Sequence, residues 1–257
     1  MKPAWQQAAR AALLGGLALI AGLALTGCGL GSASSSASAG SAGTAAASPG
    51  LSIPGTHSST VVHAISAAVS ALVVTSRVGN VTVTGGSGSG ASVTEEITYT
   101  SKPPVTTRRV SGGTLTVGYT CPVELVCAVV YHILVPRTAS VVVTANAGRI
   151  VLSGLAGQVT AKADAGLITA TGLTGASVSL STDVGGIHAD FAAAPATIAA
   201  VARVGGITLR VPAGAAYTVT ANATVGKATV SIPQAASAPH AITATTDVGA
   251  ILVAYAS

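Results

Sequence analysis

Nucleophiles, imidazoles and carboxylates do most covalent and acid–base work in proteins, and this chain has few of them placed for it. Its five histidines, His57, His63, His132, His188 and His240, lie far apart and share no motif. Gly86-Ser87-Gly88-Ser89-Gly90 meets the letters of the Gly-x-Ser-x-Gly nucleophile elbow. That elbow works on a strained turn between a strand and a helix; no helix-patterned segment follows here, so the stretch reads as a loop. The seven acids of the whole chain are scarce material for the carboxylate pairs of glycosidases. A Ser/His/acid triad is assembled in space, which leaves an enzyme acting on cell-wall material as the remote alternative. The expectation is a protein that is not an enzyme and carries no cofactor.

Of the three cysteines, Cys28 closes a targeting pattern. Lys2 and Arg10 make a short positive start, and Ala11 to Leu25 then runs apolar without a charge. That run is shorter than the ~20 residues of a comfortable membrane-spanning helix. It ends in Leu25-Thr26-Gly27-Cys28, which resembles the bacterial lipobox. The resemblance implies that residues 1–27 are a lipoprotein signal peptide and that the Cys28 thiol takes a diacylglyceryl group. Two or more acyl chains of the palmitate kind hold a protein stably on a membrane where one does not. Residues 28–50 then form the lipidated cysteine and a Gly/Ser/Ala tether, too poor in large apolar groups to fold. Residues 51–69 read as a linker or the lead-in to a first strand, and 70–257 as the folded domain. The expected location is the extracytoplasmic face of the cell membrane, held by lipid on Cys28.

Cys121 and Cys127 remain as a pair, separated by Pro-Val-Glu-Leu-Val. In an exported chain such a pair reads as a disulfide closing a small loop. A redox or metal pair is the competing reading, with His132 the nearest imidazole and a poor ligand set alone.

Composition narrows the class further. Hydrophobic residues make up 49% of the 257, aromatics 3% and charged residues 7%, where globular domains carry about 25% charged. Such a chain suits many short strands packing Ala, Val and Ile inside, with Ser and Thr outside. The formal charge of +5 falls to +3 without Lys2 and Arg10, and no basic block exists beyond Arg108-Arg109. Nucleic acid needs a concentrated basic footprint and is not an expected partner.

Those strands are legible as a repeat. A small turn recurs at Gly79, Gly148, Gly166, Gly185, Gly205, Gly226 and Gly249. From Gly148 onward these glycines stand 18, 19, 20, 21 and 23 residues apart. Two positions after them come Val81, Ile150, Ile168, Ile187, Ile207, Ala228 and Ile251, and seven before them Leu72, Val141, Val159, Val178, Ile198, Val219 and Ile242. Apolar and polar residues alternate on both sides of each turn, the mark of strands with one buried face. One such unit cannot bury its apolar side alone, but a stack of them can. The predicted fold is all-β, a β-solenoid or single-stranded β-helix-like stack of repeats of about 18–23 residues. Between Gly79 and Gly148 the repeat blurs, with strand-like stretches at Ser92–Tyr99, Thr114–Tyr119 and Val129–Val135. That portion is expected to be less regular, as coils or a hairpin layer stapled by the disulfide.

Stacking also lines up the residue two before each glycine: Asn146, Asp164, Asp183, Arg203, Thr224 and Asp247. Asp164 and Asp183 as neighbours would favour a cation such as Ca²⁺. The plainer reading is that Asp and Asn cap their own turns and that Arg203 pairs with Asp183, leaving no metal. Outward Thr82/Thr84 and Thr169/Thr171 suggest the flat Thr arrays of ice-binding stacks, but Val151, His188, Asp190 and Arg210 interrupt them.

The "VGxVTVxG" opening, the "GGTLTV…C…C…VPR" middle and the "DVGxIxV" turns resemble the bacterial adhesin-type β-strand-repeat family, a domain of unknown function. The resemblance covers Ser70 to the C-terminus and implies a β-solenoid-like surface domain. Asn146, Arg203, Thr224 and Arg77 stand where that family usually has Asp, so no unbroken acidic row is expected. The function it implies is a cell-surface, lipid-anchored structural or interaction module, adhesin-like, meeting an unidentified envelope or surface partner. The alternative is an envelope-sensing or accessory lipoprotein that works with a membrane partner.

Overall fold

The computed structural model describes residues 55–122 and 126–256. The expected signal peptide 1–27, Cys28, the expected tether 28–50 and the start of 51–69 lie outside the described residues. Alternation of burial along each strand follows the sequence: in Ser177–Val184, Val178 and Leu180 are buried and Ser179 is exposed. β-Branched residues dominate these strands because they pack well on a half-buried pleated surface. Among the described residues every regular element is a strand.

The strands are β1 (His57–Ile65), β2 (Ala71–Val78), β3 (Val81–Gly86), β4 (Ala91–Tyr99), β5 (Val105–Ser111), β6 (Thr114–Thr120) and β7 (Cys127–Pro136). The regular part continues with β8 (Ser140–Ala147), β9 (Ile150–Ser153), β10 (Val159–Ala165), β11 (Ile168–Leu173), β12 (Ser177–Val184) and β13 (Ile187–Phe191). It ends with β14 (Thr197–Val204), β15 (Ile207–Val211), β16 (Tyr217–Val225), β17 (Ala228–Val230), β18 (His240–Val248) and β19 (Ile251–Tyr255). They form two sheets that do not close on themselves. Sheet A has ten strands in the order β1-β4-β7-β3-β9-β11-β13-β15-β19-β17. Sheet B has nine, in the order β16-β18-β14-β12-β10-β8-β2-β6-β5.

Each repeat unit gives its first strand to sheet B and its second to sheet A, with the repeat glycine at the corner. Units pair in parallel and in register: Ile150, Ile168, Ile187, Ile207 and Ile251 are successive partners across sheet A. Leu72, Val141, Val159, Val178, Ile198 and Ile242 do the same across sheet B. All of these are buried, and the two rows meet as one core between the sheets.

Sequence order breaks at the far end. The C-terminal unit, β18 and β19, sits between β14/β15 and β16/β17, so the chain steps over one place and then returns. The inward residues explain the exchange. The C-terminal unit brings Ile242, Ile251 and Val253, whereas β16 and β17 bring Val219, Ala228 and Val230. Placing the larger side chains inside buries more apolar area, at about 25 cal/mol per Å². The unit with less to lose takes the exposed end.

The blurred portion is more regular than the sequence suggests. It brings antiparallel pairs, β4 on β7 and β5 on β6, with β1 added on β4, while β6 and β7 join the stack in parallel with β2 and β3. The three strand-like stretches correspond to β4, β6 and β7, while β5 escapes sequence reading. Its half-buried positions are Thr106, Arg108 and Val110, so no apolar period announces it.

Cys121 and Cys127 are disulfide-bonded, with Cα atoms 6.1 Å apart. The bond spans the passage from β6 in sheet B to β7 in sheet A. From the small loop it closes, reduction should cost roughly 2 kcal/mol. Thermal unfolding with and without reductant checks this, and an unchanged midpoint would mean that strand pairing alone holds the passage.

Candidate functional site

A polar cleft of about 590 Å³ lies on the outer face of sheet A in the repeat stack. It arises where three neighbouring strands alternate inward and outward. β13 turns Ile187 and Ala189 to the core and His188 and Asp190 outward; β15 presents Thr208 and Arg210, and β19 presents Leu252. Register sets His188 beside Thr208 and Asp190 beside Arg210. Arg210 Nε stands 3.7 Å from an Asp190 carboxylate oxygen, and both side chains are about half exposed. An exposed pair of this kind adds little stability, so its two charges are open to exchange for those of a partner. Among the described residues no hydrogen bond links His188 to Thr208 or to Asp190. The cleft offers one cation, one anion, an imidazole and an aliphatic wall, which is chemistry for binding.

A shallower groove of about 330 Å³ lies on the same face near the antiparallel strands, lined by Thr82, Thr84, Ser92, Thr94, His132 and Leu134. His132 Nε2 is 3.5 Å from Glu96. Both surfaces consist mainly of short side chains on strands, which hold them rigidly.

The corner row keeps the expected pairing of Arg203 with Asp183 and adds one of Asp164 with Lys162. Asp183 meets Arg203 at 3.3 Å, and Asp164 meets Lys162 of its own strand at 3.5 Å. The two carboxylates considered as cation ligands thus each face a cation of this chain. The exchange of the last two units also sets Asp247 next to Arg203, because Ala202 pairs with Thr246 and Val204 with Val248. Turn hydrogen bonds come from residues that sequence reading passed over. The Thr182 hydroxyl donates to the Gly166 carbonyl at 3.1 Å, and Thr246 donates to the Gly205 carbonyl at 3.0 Å. The repeat glycines sit at these corners, Gly79, Gly148, Gly185, Gly205, Gly226 and Gly249 with positive φ.

A second missed feature is a polar cluster inside the antiparallel portion. Glu95 on β4 is 1% exposed, and Arg108 on β5 reaches both of its carboxylate oxygens at 2.8 Å. Arg108 also donates to Thr106 at 2.6 Å, and His63 Nε2 lies 3.8 Å from Glu95. The pair ties sheet A to sheet B. Burial, then the Glu95 charge, then Tyr119 push the neighbouring Tyr131 phenol well above its ordinary range, opposed by Arg108. A signal was available: Glu95 occupies the apolar phase of Ala91, Val93 and Ile97. Arg108→Ala should leave a buried carboxylate without its main partner and cost about 2 kcal/mol. A melting midpoint equal to that of the unaltered chain would show that water replaces the guanidinium there.

No family model matches this chain, and no curated protein matches it. Among solved structures it is similar to a candidate cell adhesion protein from Clostridium sporogenes, at 12% identity and a TM-score of 0.47, over 78% of this chain and 100% of that one. A candidate adhesin from Bacteroides fragilis is similar at 12% identity and a TM-score of 0.47, over 77% of this chain and 97% of that one. A candidate adhesin from Parabacteroides distasonis follows at 10% identity and a TM-score of 0.38, over 77% and 97%.

Proposed function

We propose that this chain is a cell-surface, lipid-anchored interaction module, adhesin-like and without catalysis, carried on a β-solenoid. The observation that carries the reading is the in-register parallel stack of two-strand units joined at glycine corners. Such a stack spends its buried residues on packing and presents two strand-built outer faces to partners. The His188–Asp190–Arg210 cleft is the natural contact region on one of these faces. It holds both signs of charge on rigid strands, and rigidity lowers the ordering cost of binding. Lipid on Cys28 would place that face outside the cytoplasmic membrane, with the tether 28–50 between.

The test is display and attachment. Cys28→Ala should abolish lipid labelling and release the protein or leave it unprocessed. Cells carrying the unaltered chain should attach to one another or to surfaces more than cells carrying Cys28→Ala. Unchanged labelling and membrane retention would sink the anchor, and equal attachment would sink the adhesin-like role.

A further inference from the structure

The two ends of the β domain are built differently. At the antiparallel end, β4 lies across from β5, where Arg108 grips Glu95, and β1 extends sheet A one strand beyond sheet B. That end is stepped, and Lys102, Arg108 and Arg109 lie on or beside its outermost strand of sheet B. The opposite end is flush. β16 and β17 are the two halves of one unit, joined at Gly226, and each is the last strand of its sheet.

Among the described residues only the segment 231–239 lies against this flush end, and it leaves most of it open. Val219, Ala221, Ala223 and Val230 are half-buried and Ala228 is exposed, whereas their neighbours one unit inward, Ile242, Ala244, Thr246, Val253 and Ile251, are buried. The segment 231–239 covers only the first residues of β16: Ala235 donates to the Tyr217 carbonyl at 2.9 Å, and the Thr218 hydroxyl donates to the Ala235 carbonyl at 2.8 Å. Among the described residues, nothing pairs with the outer backbone edge of 219–225. Proteins guard such edges with charges, prolines or bulges. β16 and β17 contain no Asp, Glu, Lys, Arg or Pro.

The occupant is constrained by the pair of edges. A single extended peptide would satisfy one edge and leave the other, together with the apolar gap between them. A partner that satisfies both must itself have two layers about 10 Å apart, ending flush and uncharged. The flush end of this chain meets that description along both edge strands, its one charge being Lys227 at the corner between them. We propose that a second copy docks there end to end, about a two-fold axis normal to both sheets. β16 then pairs antiparallel with β16 of the second copy around Asn222, and β17 with β17 around Thr229.

Parity supports this register. Ala221 falls opposite Ala223 of the second copy, so these inward side chains meet each other, while Val219 falls opposite Val225, which is exposed beside the corner. No like charges oppose each other, because the strands carry none. The contact is isologous and closes at two copies. It also places the two β1 ends at opposite extremes of the joined stack. This deepens the adhesin-like reading and rests on it for its meaning: the partner is the same protein anchored on a facing membrane.

Cysteine cross-linking of the full chain in detergent tests the contact. Asn222→Cys puts two thiols across the axis, where opposed Cβ atoms are about 5 Å apart, and should yield a covalent dimer under mild oxidation. Ser179→Cys, exposed on the middle of the same sheet, should not, and neither should the unaltered chain. Adding Ala221→Lys, an inward charge tolerable at a half-open end, should abolish the Asn222→Cys dimer without lowering the melting midpoint. Ala223→Lys provides the same check should Ala221→Lys disturb folding. Equal linking through Asn222→Cys and Ser179→Cys, or linking that survives both lysines, overturns the proposal. A purified chain that links through Asn222→Cys while cells fail to attach would leave the contact standing and remove the adhesin-like role.

Discussion

Gly205→Ala should destabilise the protein by about 4 kcal/mol, among the largest effects of a single methyl group. Gly205 has φ +148°, a conformation L side chains rarely adopt. A Cβ there would also fall on the Gly185 carbonyl oxygen. The clash is with backbone, and that backbone belongs to the next corner, where the Gly166 carbonyl stands in the same relation to Gly185. Relief at one corner therefore compresses the next, and no side chain can rotate away. For a domain of this size the midpoint should fall by roughly 10 °C. Gly88→Ala is the control: a Cβ there meets nothing within 4 Å, and the change should stay within about 0.5 kcal/mol. Equal melting of the two variants would mean that the corners are not packed glycine against carbonyl.

Ile187→Asp and His188→Asp should separate widely although they are adjacent. Ile187 is fully buried between Ile168 and Ile207, and its row continues to Ile251. A carboxylate there has no partner, and its burial should cost about 4 kcal/mol or more. His188 is exposed on the outer face of sheet A, so its replacement should cost under about 1 kcal/mol. Part of that small cost is repulsion from Asp190 on the same face. Urea unfolding at neutral pH distinguishes the two, and comparable midpoints would mean that inside and outside have been exchanged. His188→Asp also reports on the cleft. It adds a second negative charge beside Asp190, so it should alter attachment while sparing stability.

Much of this was legible because β structure writes itself in a period of two. Ile168, Ile187 and Ile207 share one phase, Thr169, His188 and Thr208 the other, and the spacing of the glycines marks the corners. Local rules carried these assignments, since a residue's face depends on its phase relative to the turn. The antiparallel portion was less legible. In β5 a half-buried arginine and threonine replace the apolar phase, and they can do so only because Glu95 waits on the other sheet. No local pattern reports a partner thirteen residues away on a different sheet.

From the sequence alone came the strand phases, the glycine corners, the pairing of Cys121 with Cys127 and the all-β class. Each depends on residues close in the chain or on a count that leaves one choice. Tertiary structure alone decided the order of units, the Glu95–Arg108 bridge, the cleft of His188, Asp190 and Arg210, and the open end at β16 and β17. These depend on which units become neighbours, and β18/β19 could follow β14/β15 as readily as β16/β17 by turn geometry. The choice fell to total burial: isoleucines at 242 and 251 gain more inside than Val219 and Ala228 would. That same choice set Asp247 beside Arg203 and left the smallest side chains at the uncovered end.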